Sequence, residues 1–146
     1  MNFKPLKIGN HTAPIPIIQG GMGVGISLSN LASAVSREGA IGVISAIECG
    51  LDEPDYRQNK REANVRGLRN EIRRAKSLAE DGIIGVNIMA AINNYDEMVR
   101  TAVDEDIDII IVGAGLPLTL PEFVRGTNTA IAPIVSSAKA IQLIGR

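Results

Sequence analysis

Short aliphatic runs alternate along the chain with longer stretches in which apolar residues recur every three or four positions. The aliphatic runs predict five strands, at residues 14–19, 40–46, 83–89, 107–115 and 129–135. The periodic stretches predict helices at residues 27–38, 59–81 and 94–106, a short helix within 117–126, and a fifth helix that begins in 136–146. The predicted order is therefore a strand followed by a helix, repeated five times.

Glycine and proline refine the boundaries of these elements. Gly39 follows the first predicted helix and fits a C-cap that needs a positive φ angle, and Gly82 is expected to end the long helix. That long helix carries one apolar stripe, formed by Val65, Leu68, Ile72, Ala75 and Ala79. Pro133 has no N–H to donate, so the fifth strand is expected to contain a bulge or to end early.

Buried aliphatic strands that alternate with amphipathic helices predict an α/β fold with a parallel sheet and helical crossovers. Two architectures share this order, an open doubly wound sheet and a (β/α)8 barrel. Five units complete an open sheet, whereas a barrel takes about 250 residues, so length alone favours the open sheet. No linker divides the sequence, and residues 1–146 are expected to belong to a single domain.

Composition excludes several functional classes. The 146 residues are 45% hydrophobic and 21% charged with a net charge of -1, which argues against a nucleic-acid or membrane surface. No apolar run is long enough to span a bilayer, and the N-terminal segment lacks the apolar core of a signal peptide. The one cysteine, Cys49, cannot form an internal disulfide, so a cytoplasmic location is the default expectation.

Candidates for catalysis and metal binding are few. His11 precedes the first predicted strand and is expected to be a surface residue. Cys49 has no histidine placed to activate it and is expected to be a bystander. No Cys/His cluster has metal-ligand spacing, so no metal site is predicted. The arginine-rich segment 60–76 is interpreted as a solvated helix face rather than an RNA-binding patch, and the acidic segment 104–108 as a solvated helix end.

A glycine-rich stretch, GGMGVG at residues 20–25, follows the first predicted strand. Other small polar residues and glycines follow the later strands: Ser45, Asn87, Gly113, Gly115, Ser136 and Ser137. In both α/β architectures that edge of the sheet holds the ligand. Strand-to-helix turns also favour these residue types on their own, so a binding site and ordinary turns both remain open.

The glycine spacing argues against two nucleotide-binding motifs. The order G-G-x-G-x-G is not the dinucleotide fingerprint G-x-G-x-x-G, and no acidic residue closes the next strand. No Gly-Lys-Ser or Gly-Lys-Thr follows any glycine run, so a P-loop is absent from the sequence.

Asn87 interrupts the otherwise apolar run IIGVNIM, and asparagine is depleted in strands. A buried amide without partners costs about 1–3 kcal/mol. Its side chain is therefore expected to meet a polar group. Because the amide offers both donors and an acceptor, it suits the edge of a heterocycle. The alternative is a hydrogen bond to a neighbouring loop.

Five segments, in this order, resemble the nitronate monooxygenases, once called 2-nitropropane dioxygenases: PIIQGGMG, LASAVSREGAIGVIS, GVNIM, IIIVGAGLP and APIVSSAKA. The FMN-dependent enoyl-acyl-carrier-protein reductases of the same superfamily are equally similar. The resemblance extends from Pro14 to Arg146.

The resemblance implies an FMN-binding (β/α)8 TIM barrel, of which this chain would be an incomplete part, the first five βα units. It implies that Gly21, Met22 and Gly23 lie against the flavin, where glycine lets the backbone approach a flat ring. It implies that Asn87 hydrogen-bonds the flavin. The residues near 113–115 and 136–137 would line the same mouth.

The family's catalytic histidine lies in an A-G-G-H-like segment after the sixth strand, and its FMN-phosphate loops follow strands seven and eight. This sequence contains no such segment, so no residue here inherits the role of that histidine, which is expected beyond Arg146. Because family members are about twice as long, the sequence is expected to be a truncated N-terminal part of a longer enzyme.

Three hypotheses about function follow from the resemblance. The first is an FMN-dependent nitronate monooxygenase that oxidises alkyl nitronates with O2. The second is an NAD(P)H- and FMN-dependent enoyl-acyl-carrier-protein reductase acting on an enoyl thioester. The third is that this chain alone is a catalytically incomplete fragment. The first two imply a small-molecule substrate, no nucleic-acid or membrane partner, and leave a homo-oligomer open.

Overall fold

A computed structural model describes residues 3–144 of the chain. In chain order its elements are β1 (Leu6–Ile8), β2 (His11–Ala13), α1 (Ser29–Arg37), β3 (Gly42–Ser45), α2 (Lys60–Ala79), β4 (Ile84–Met89), α3 (Tyr95–Asp104), β5 (Ile109–Gly113), α4 (Leu120–Phe123), β6 (Ala130–Pro133) and α5 (Ala138–Ile144). The predicted alternation of strands and helices is confirmed from β3 onward.

The strands β3, β4, β5 and β6 form a parallel sheet in that order, so each strand pairs with the next one along the chain. One row of the register crosses all four strands and consists of Ser45, Asn87, Ile111 and Ala132. Residues that pair in this way point to the same face of a sheet. This set is called the inner row below, and the face that carries it is called the inner face.

The main core lies on the opposite face of the sheet. Alternate strand residues are buried there with side chains of α1, α2, α3 and α4. The strand residues are Ile44, Ile84, Val86, Ile88, Ile110 and Val112. From the predicted stripe of α2, the residues Leu68, Ile72, Ala75 and Ala79 are buried in this core, and Val65 packs at its margin.

Strand order and helix placement decide between the two α/β architectures. A doubly wound sheet carries helices on both faces and reverses its strand order. Here the order runs from β3 to β6 without reversal, and the core shared with α1 to α4 lies on one face. This is the arrangement of a barrel wall, so the preference for an open sheet that length alone gave is wrong.

A short antiparallel hairpin, formed by β1 and β2, was not among the predicted elements. Its turn contains Gly9 at a φ of +57°, a conformation that favours glycine. Ala13 at its end is fully buried and packs with Ile41, Val43 and Ile109 on the inner face. The hairpin therefore covers the inner face where the strands begin.

The first predicted strand, residues 14–19, is reduced to a single bridge between Ile18 and Ile41. Two main-chain hydrogen bonds flank it, from Ile41 N to Ile17 O at 2.9 Å and from Gln19 N to Ile41 O at 3.0 Å. The segment contains Pro14 and Pro16, which cannot donate to a ladder. An extended segment thus lies beside β3 without becoming a regular strand.

Several predicted boundaries move by a few residues. Gly39 has the expected positive φ, +86°, just after α1. After α2 the positive φ belongs to Glu80, at +57°, and not to Gly82. Gly82 is needed for another reason, because a Cβ there would lie 2.2 Å from the Oγ of Ser36.

The last predicted elements are also shorter than expected. The fifth predicted strand ends early at Pro133, as its missing N–H suggested. The fifth predicted helix begins at Ala138, and its two final positions, 145 and 146, lie outside the described residues.

Candidate functional site

The carboxyl end of the inner face lies beyond the reach of the hairpin. Asn87, Ile111 and Ala132 of the inner row are only half-buried there, whereas Ser45 is buried. Met89, the last residue of β4, is 36% exposed. This end of the sheet is the edge at which parallel α/β folds bind ligands.

The glycine loop, residues 20–25, packs directly onto this open end. A Cβ on Gly21 would lie 2.6 Å from the Cβ of Asn87. A Cβ on Gly23 would lie 2.1 Å from a methyl carbon of Ile47 and 3.3 Å from the Oγ of Ser45. Both glycines are therefore required by the close approach of the loop to the sheet.

The other two glycines of the loop have different roles. Gly25 has a φ of +71°, which a residue with a Cβ rarely adopts. Gly20 has no such angle, and a Cβ there would meet no atom within 4 Å. Packing within the described chain thus explains Gly21 and Gly23, conformation explains Gly25, and Gly20 faces open space.

The loop and Asn87 present unused hydrogen-bonding groups. In the part of the chain from residue 3 to 144, the N–H groups of Gly21 and Gly23 have no acceptor, and the side-chain amide of Asn87 has no partner. Among those residues, no hydrogen bond joins the side chain of Asn87 to a neighbouring loop, which was the alternative expectation. Met22, which lies between the two glycines, is 59% exposed.

Four residues were predicted to bind a cofactor, and the fold brings them together. Gly21 and Asn87 are in contact, Gly23 lies beside Ser45 on the adjacent strand, and Met22 belongs to the same loop. The site is thus built from the loop after the first extended segment and from the ends of β3 and β4.

The residues expected to line the mouth lie further along the same edge. Gly115 approaches Ala90, since a Cβ there would lie 2.9 Å from the Cβ of Ala90, and Gly113 lies beside Ile134. The Oγ of Ser137 accepts a hydrogen bond from Ala140 N at 3.3 Å, so this serine caps α5.

Sequence reasoning missed two residues that hold the loop, Gln19 and Ser27. The Nε2 of Gln19 donates to the Oγ of Ser27 at 2.8 Å, and Met22 N donates to the same oxygen at 2.8 Å. Ser27 is fully buried. The clue available in the sequence was a polar glutamine at the end of an apolar run, directly before the glycine-rich stretch.

His11 is not the surface residue that was expected. Its side chain is 11% exposed, its Nε2 lies 3.0 Å from the main-chain oxygen of Asn128, and its Nδ1 lies 3.9 Å from a carboxylate oxygen of Asp108. It is partly buried because the hairpin folds onto the amino end of the sheet. That position is opposite to the glycine loop.

Cys49 is held as a neutral thiol. Burial raises its pKa to about 12, and its Sγ donates to the main-chain oxygen of Asn64 at 3.2 Å. Since the thiolate is the nucleophilic form, this environment agrees with the expected bystander role.

Four of the five arginines of α2 pair with neighbouring acids. Arg61 pairs with Glu97, and Arg69 and Arg73 pair with Glu105. Arg66 pairs with Glu53 and Asp55. These pairs neutralise much of the positive charge, in line with a solvated helix face.

A cavity of about 560 Å³ opens beside the site, between the loops that follow β3 and β4. Ile47, which contacts Gly23, forms part of its wall. Two of its cations are paired, Lys60 with Glu48 and Arg61 with Glu97. The cavity therefore offers room at the same edge without a strong net charge.

The described residues contain neither a metal-binding cluster nor a membrane-spanning helix. Across residues 3–144, no cluster of three or more His, Cys, Asp or Glu side chains is arranged to hold a metal ion. Over the same range, no helix combines the length and the apolar character needed to cross a membrane.

The residues present fit the isoalloxazine ring of FMN. Such a ring has a flat apolar body and an edge with both donors and acceptors. The unpartnered amide of Asn87 supplies both kinds of group, the N–H groups of Gly21 and Gly23 supply further donors, and Met22 supplies apolar surface.

Comparison with known proteins agrees with this fold. A family model described as nitronate monooxygenase matches residues 4–145. The fold is similar to a structure of FabK from Thermotoga maritima, with 27% identity, a TM-score of 0.69, and coverage of 89% of this chain and 37% of that one. A methionine-to-alanine mutant of the same FabK gives 25% identity, a TM-score of 0.71, and coverage of 89% and 39%.

The chain thus spans less than two-fifths of either FabK structure. None of the curated proteins matches it significantly. The partial match agrees with the unreversed sheet described above and confirms the expected fold class, an incomplete (β/α)8 barrel. Because the family model covers nearly all of the sequence, this chain belongs to the nitronate monooxygenase family.

Proposed function

We propose that this chain forms the first part of the flavin site of an FMN-dependent oxidoreductase. One observation carries the proposal. The unpartnered amide of Asn87 and the free N–H groups of Gly21 and Gly23 meet at the carboxyl edge of a barrel wall. Membership of the nitronate monooxygenase family supports FMN as the group that they hold.

The chain's own residues have distinct parts in this proposal. Asn87 would hold the edge of the ring, and the backbone from Gly21 to Gly23 would lie against the flavin. Met22 and Ile111 supply apolar surface and exclude water. The bound FMN supplies the electron-transfer chemistry that no side chain can.

The finer proposal is that the whole protein is a nitronate monooxygenase that oxidises an alkyl nitronate with O2. The family model supports this choice of substrate. The proposal assigns no acid–base residue to residues 3–144, where His11 lies at the opposite end of the sheet from the site.

A second candidate is an NAD(P)H-dependent enoyl-thioester reductase. It is supported by the similarity of the fold to FabK and by the segments shared with the FMN-dependent enoyl reductases. The two candidates use the same flavin site and differ in what delivers and removes electrons.

Two assays on the full native protein, loaded with FMN, separate these candidates. O2 uptake with an alkyl nitronate, without NAD(P)H, is the result expected for the monooxygenase. Oxidation of NAD(P)H that depends on a crotonyl thioester would favour the reductase instead. A protein that purifies without a flavin absorption band and does not bind added FMN would refute the flavin proposal itself.

The third hypothesis concerns the 146-residue chain alone, which we propose is part of a single barrel domain and not an enzyme by itself. The intact mass and absorption spectrum of protein from the native source test it. A mass of 15.5 kDa together with activity in either assay would refute it.

We also propose a cytoplasmic location, which rests on the single cysteine and is checked by cell fractionation.

A further inference from the structure

The hydrogen-bond ladder beside β3 is interrupted at a defined place. Ile41 N donates to Ile17 O, and Gln19 N donates to Ile41 O. In a parallel ladder the next pair of bonds would run from Val43 N to the main-chain oxygen of Gln19, and from Gly21 N to the oxygen of Val43.

A hydrogen bond to a side chain replaces the first bond of that pair. Val43 N donates to the side-chain oxygen Oε1 of Gln19 at 3.0 Å. The main-chain oxygen of Gln19 is thereby freed from the sheet, and the loop leaves the ladder one bond early. Consequently the N–H of Gly21, which would have bonded Val43, has no acceptor among the described residues.

The orientation of the Gln19 amide follows from its partners. Because Val43 N is a donor, the amide oxygen must face it, and the NH2 group must face the other way. There the Nε2 donates to Gly20 O and to the Oγ of Ser27. The amide thus joins β3 to both ends of the segment that turns away from the sheet.

Ser27 completes the arrangement. Its hydroxyl accepts from Gln19 Nε2 and from Met22 N, and donates to Gly20 O at 3.1 Å. One donor and two acceptor sites are all that a hydroxyl has, so this one is fully used. Its main chain also bonds Met22 O at 2.9 Å and Ser45 N at 2.8 Å.

We propose that Gln19 and Ser27 are positioning residues for the ligand, and that they hold the loop so that the N–H groups of Gly21 and Gly23 face it. The inference rests on the proposed flavin site. The added point is that the side-chain amide of Gln19 replaces a main-chain bond of the sheet, and that the N–H groups of the loop are free as a consequence. Neither residue touches the ligand in this proposal; both act through the loop.

The test compares variants of the full native protein by their Kd for added FMN, measured by flavin fluorescence. Ser27→Ala removes the hydroxyl, and Gln19→Glu keeps the acceptor for Val43 but removes both donors. Each is expected to weaken FMN binding by about tenfold or more, since one or more bonds that fix the loop are lost. Ser33→Ala is the matched control, because Ser33 is also buried but bonds only Asn30 O within α1.

Acid pH provides a readout that a general loss of packing would not move. In the Gln19→Glu variant, protonation of the introduced carboxylate restores one donor. The Kd of this variant relative to the wild type is therefore expected to improve as pH falls from 8 to about 4, just below the usual Glu pKa of about 4.3. Hydrogen exchange on the unmodified protein gives a second readout. Added FMN is expected to protect the amides of residues 20–24.

Each outcome has a defined meaning. If the wild type binds FMN and both variants bind it as tightly as Ser33→Ala, the positioning role is wrong although the flavin site stands. Protection by FMN that spares residues 20–24 would overturn it in the same way. If the wild type does not bind FMN, the proposed function fails and the inference fails with it. A variant that does not fold leaves the exchange measurement on the wild type to decide.

Discussion

Four glycines stand within six residues, yet they are not all constrained in the same way. Gly21 and Gly23 have no room for a Cβ, Gly25 has a positive φ, and Gly20 has neither constraint. Sequence alone predicted that the stretch is a turn at the ligand edge. It could not predict which glycine meets which condition, because that depends on tertiary contacts such as the one between Gly21 and Asn87, which lie far apart in the sequence.

The first prediction concerns Gly21→Ala. Its methyl group would lie 2.6 Å from the Cβ of Asn87, so the loop or the asparagine must move. We expect a loss of about 1–3 kcal/mol in the free energy of unfolding of the flavin-free protein. Gly20→Ala is the control, and its effect on the same urea-unfolding measurement should stay within about 0.5 kcal/mol. Equal effects of the two substitutions would contradict the packing described here.

The second prediction concerns Asn87→Ala. The amide has no partner among residues 3–144, so its removal should change the stability of the flavin-free protein little. The same change should raise the Kd for FMN by about tenfold, because an amide edge that bonds the ring is lost. Asn70→Ala, at an exposed position on α2, is the control. A variant that loses stability but retains its FMN affinity would show that Asn87 has a structural role only.

At the scale of elements, helices and strands meet through glycine as closely as the loop meets the sheet. A Cβ on Gly42 in β3 would lie 1.8 Å from the main-chain oxygen of Ala32 in α1. Gly85, the neighbour of Val43 on β4, has only ordinary contacts at 3.4 Å or more.

The third prediction uses this contrast. Gly42→Ala must push α1 away from the sheet, so we expect it to lower the free energy of unfolding by about 3 kcal/mol, with a marked loss of soluble protein. Gly85→Ala, on the adjacent strand, should have a much smaller effect. Thermal unfolding followed by circular dichroism compares the two. Similar midpoints for both variants would contradict the close contact between α1 and β3.

The fourth prediction concerns the link between α2 and α3. Hydrogen bonds from Arg73, with the charges of Arg73 and Arg69, lower the pKa of Glu105, whose side chain is 11% exposed. A lowered folded-state pKa means stability that is present above the ordinary Glu pKa and is lost as pH falls through the folded value.

Glu105→Gln should therefore lower stability at pH 7, and the difference from the wild type should shrink as pH falls below the ordinary glutamate range. Urea unfolding at pH 7 and at acid pH measures this difference. The control is Glu122→Gln, because Glu122 forms no ion pair within the described chain. A difference that stays constant with pH would contradict the ion pair as its cause.

Elements that repeat a clear period were predictable from sequence, and elements fixed by tertiary contacts were not. The apolar stripe of α2 predicted its buried face correctly, since that pattern is local. The β1–β2 hairpin has strands of three residues, too short to show a period, and forms because Ala13 is buried against distant strands. The extended segment at 14–19 has the composition of a strand, but its prolines interrupt the ladder.

For the whole molecule, the described sheet ends at the extended segment 14–19 on one side and at β6 on the other. The segment before β3 exposes Ile17 to 57%, and beyond β6 the exposed fractions of Ile134 and Ile141 are 60% and 59%. Length alone gave the wrong architecture because it counts units, whereas strand order and the side occupied by the helices decide how a sheet closes. Exposed parallel edges of this kind promote pairing with other chains.

The fifth prediction follows from those edges. The 146-residue chain, produced alone, should self-associate as its concentration rises, and should bind a dye that reports exposed apolar surface. Ile134→Lys should reduce association, because a charged side chain beside an edge strand opposes pairing. Light scattering after size-exclusion chromatography measures the mass, and Leu51→Lys, at an exposed position in the loop after β3, is the control. A monomer at all concentrations would refute the prediction.

The alternation of side chains along β3 to β6 has a practical consequence for protein engineering. Positions 86, 88, 110 and 112 pack against the helices, whereas the inner row at 45, 87, 111 and 132 faces the open end of the sheet. A combinatorial library restricted to the inner row would vary the chemistry presented to a ligand while leaving the scaffold's helix packing untouched. In this wall of the barrel, helix packing and the chemistry of the opposite face are carried by alternating residues of the same strands.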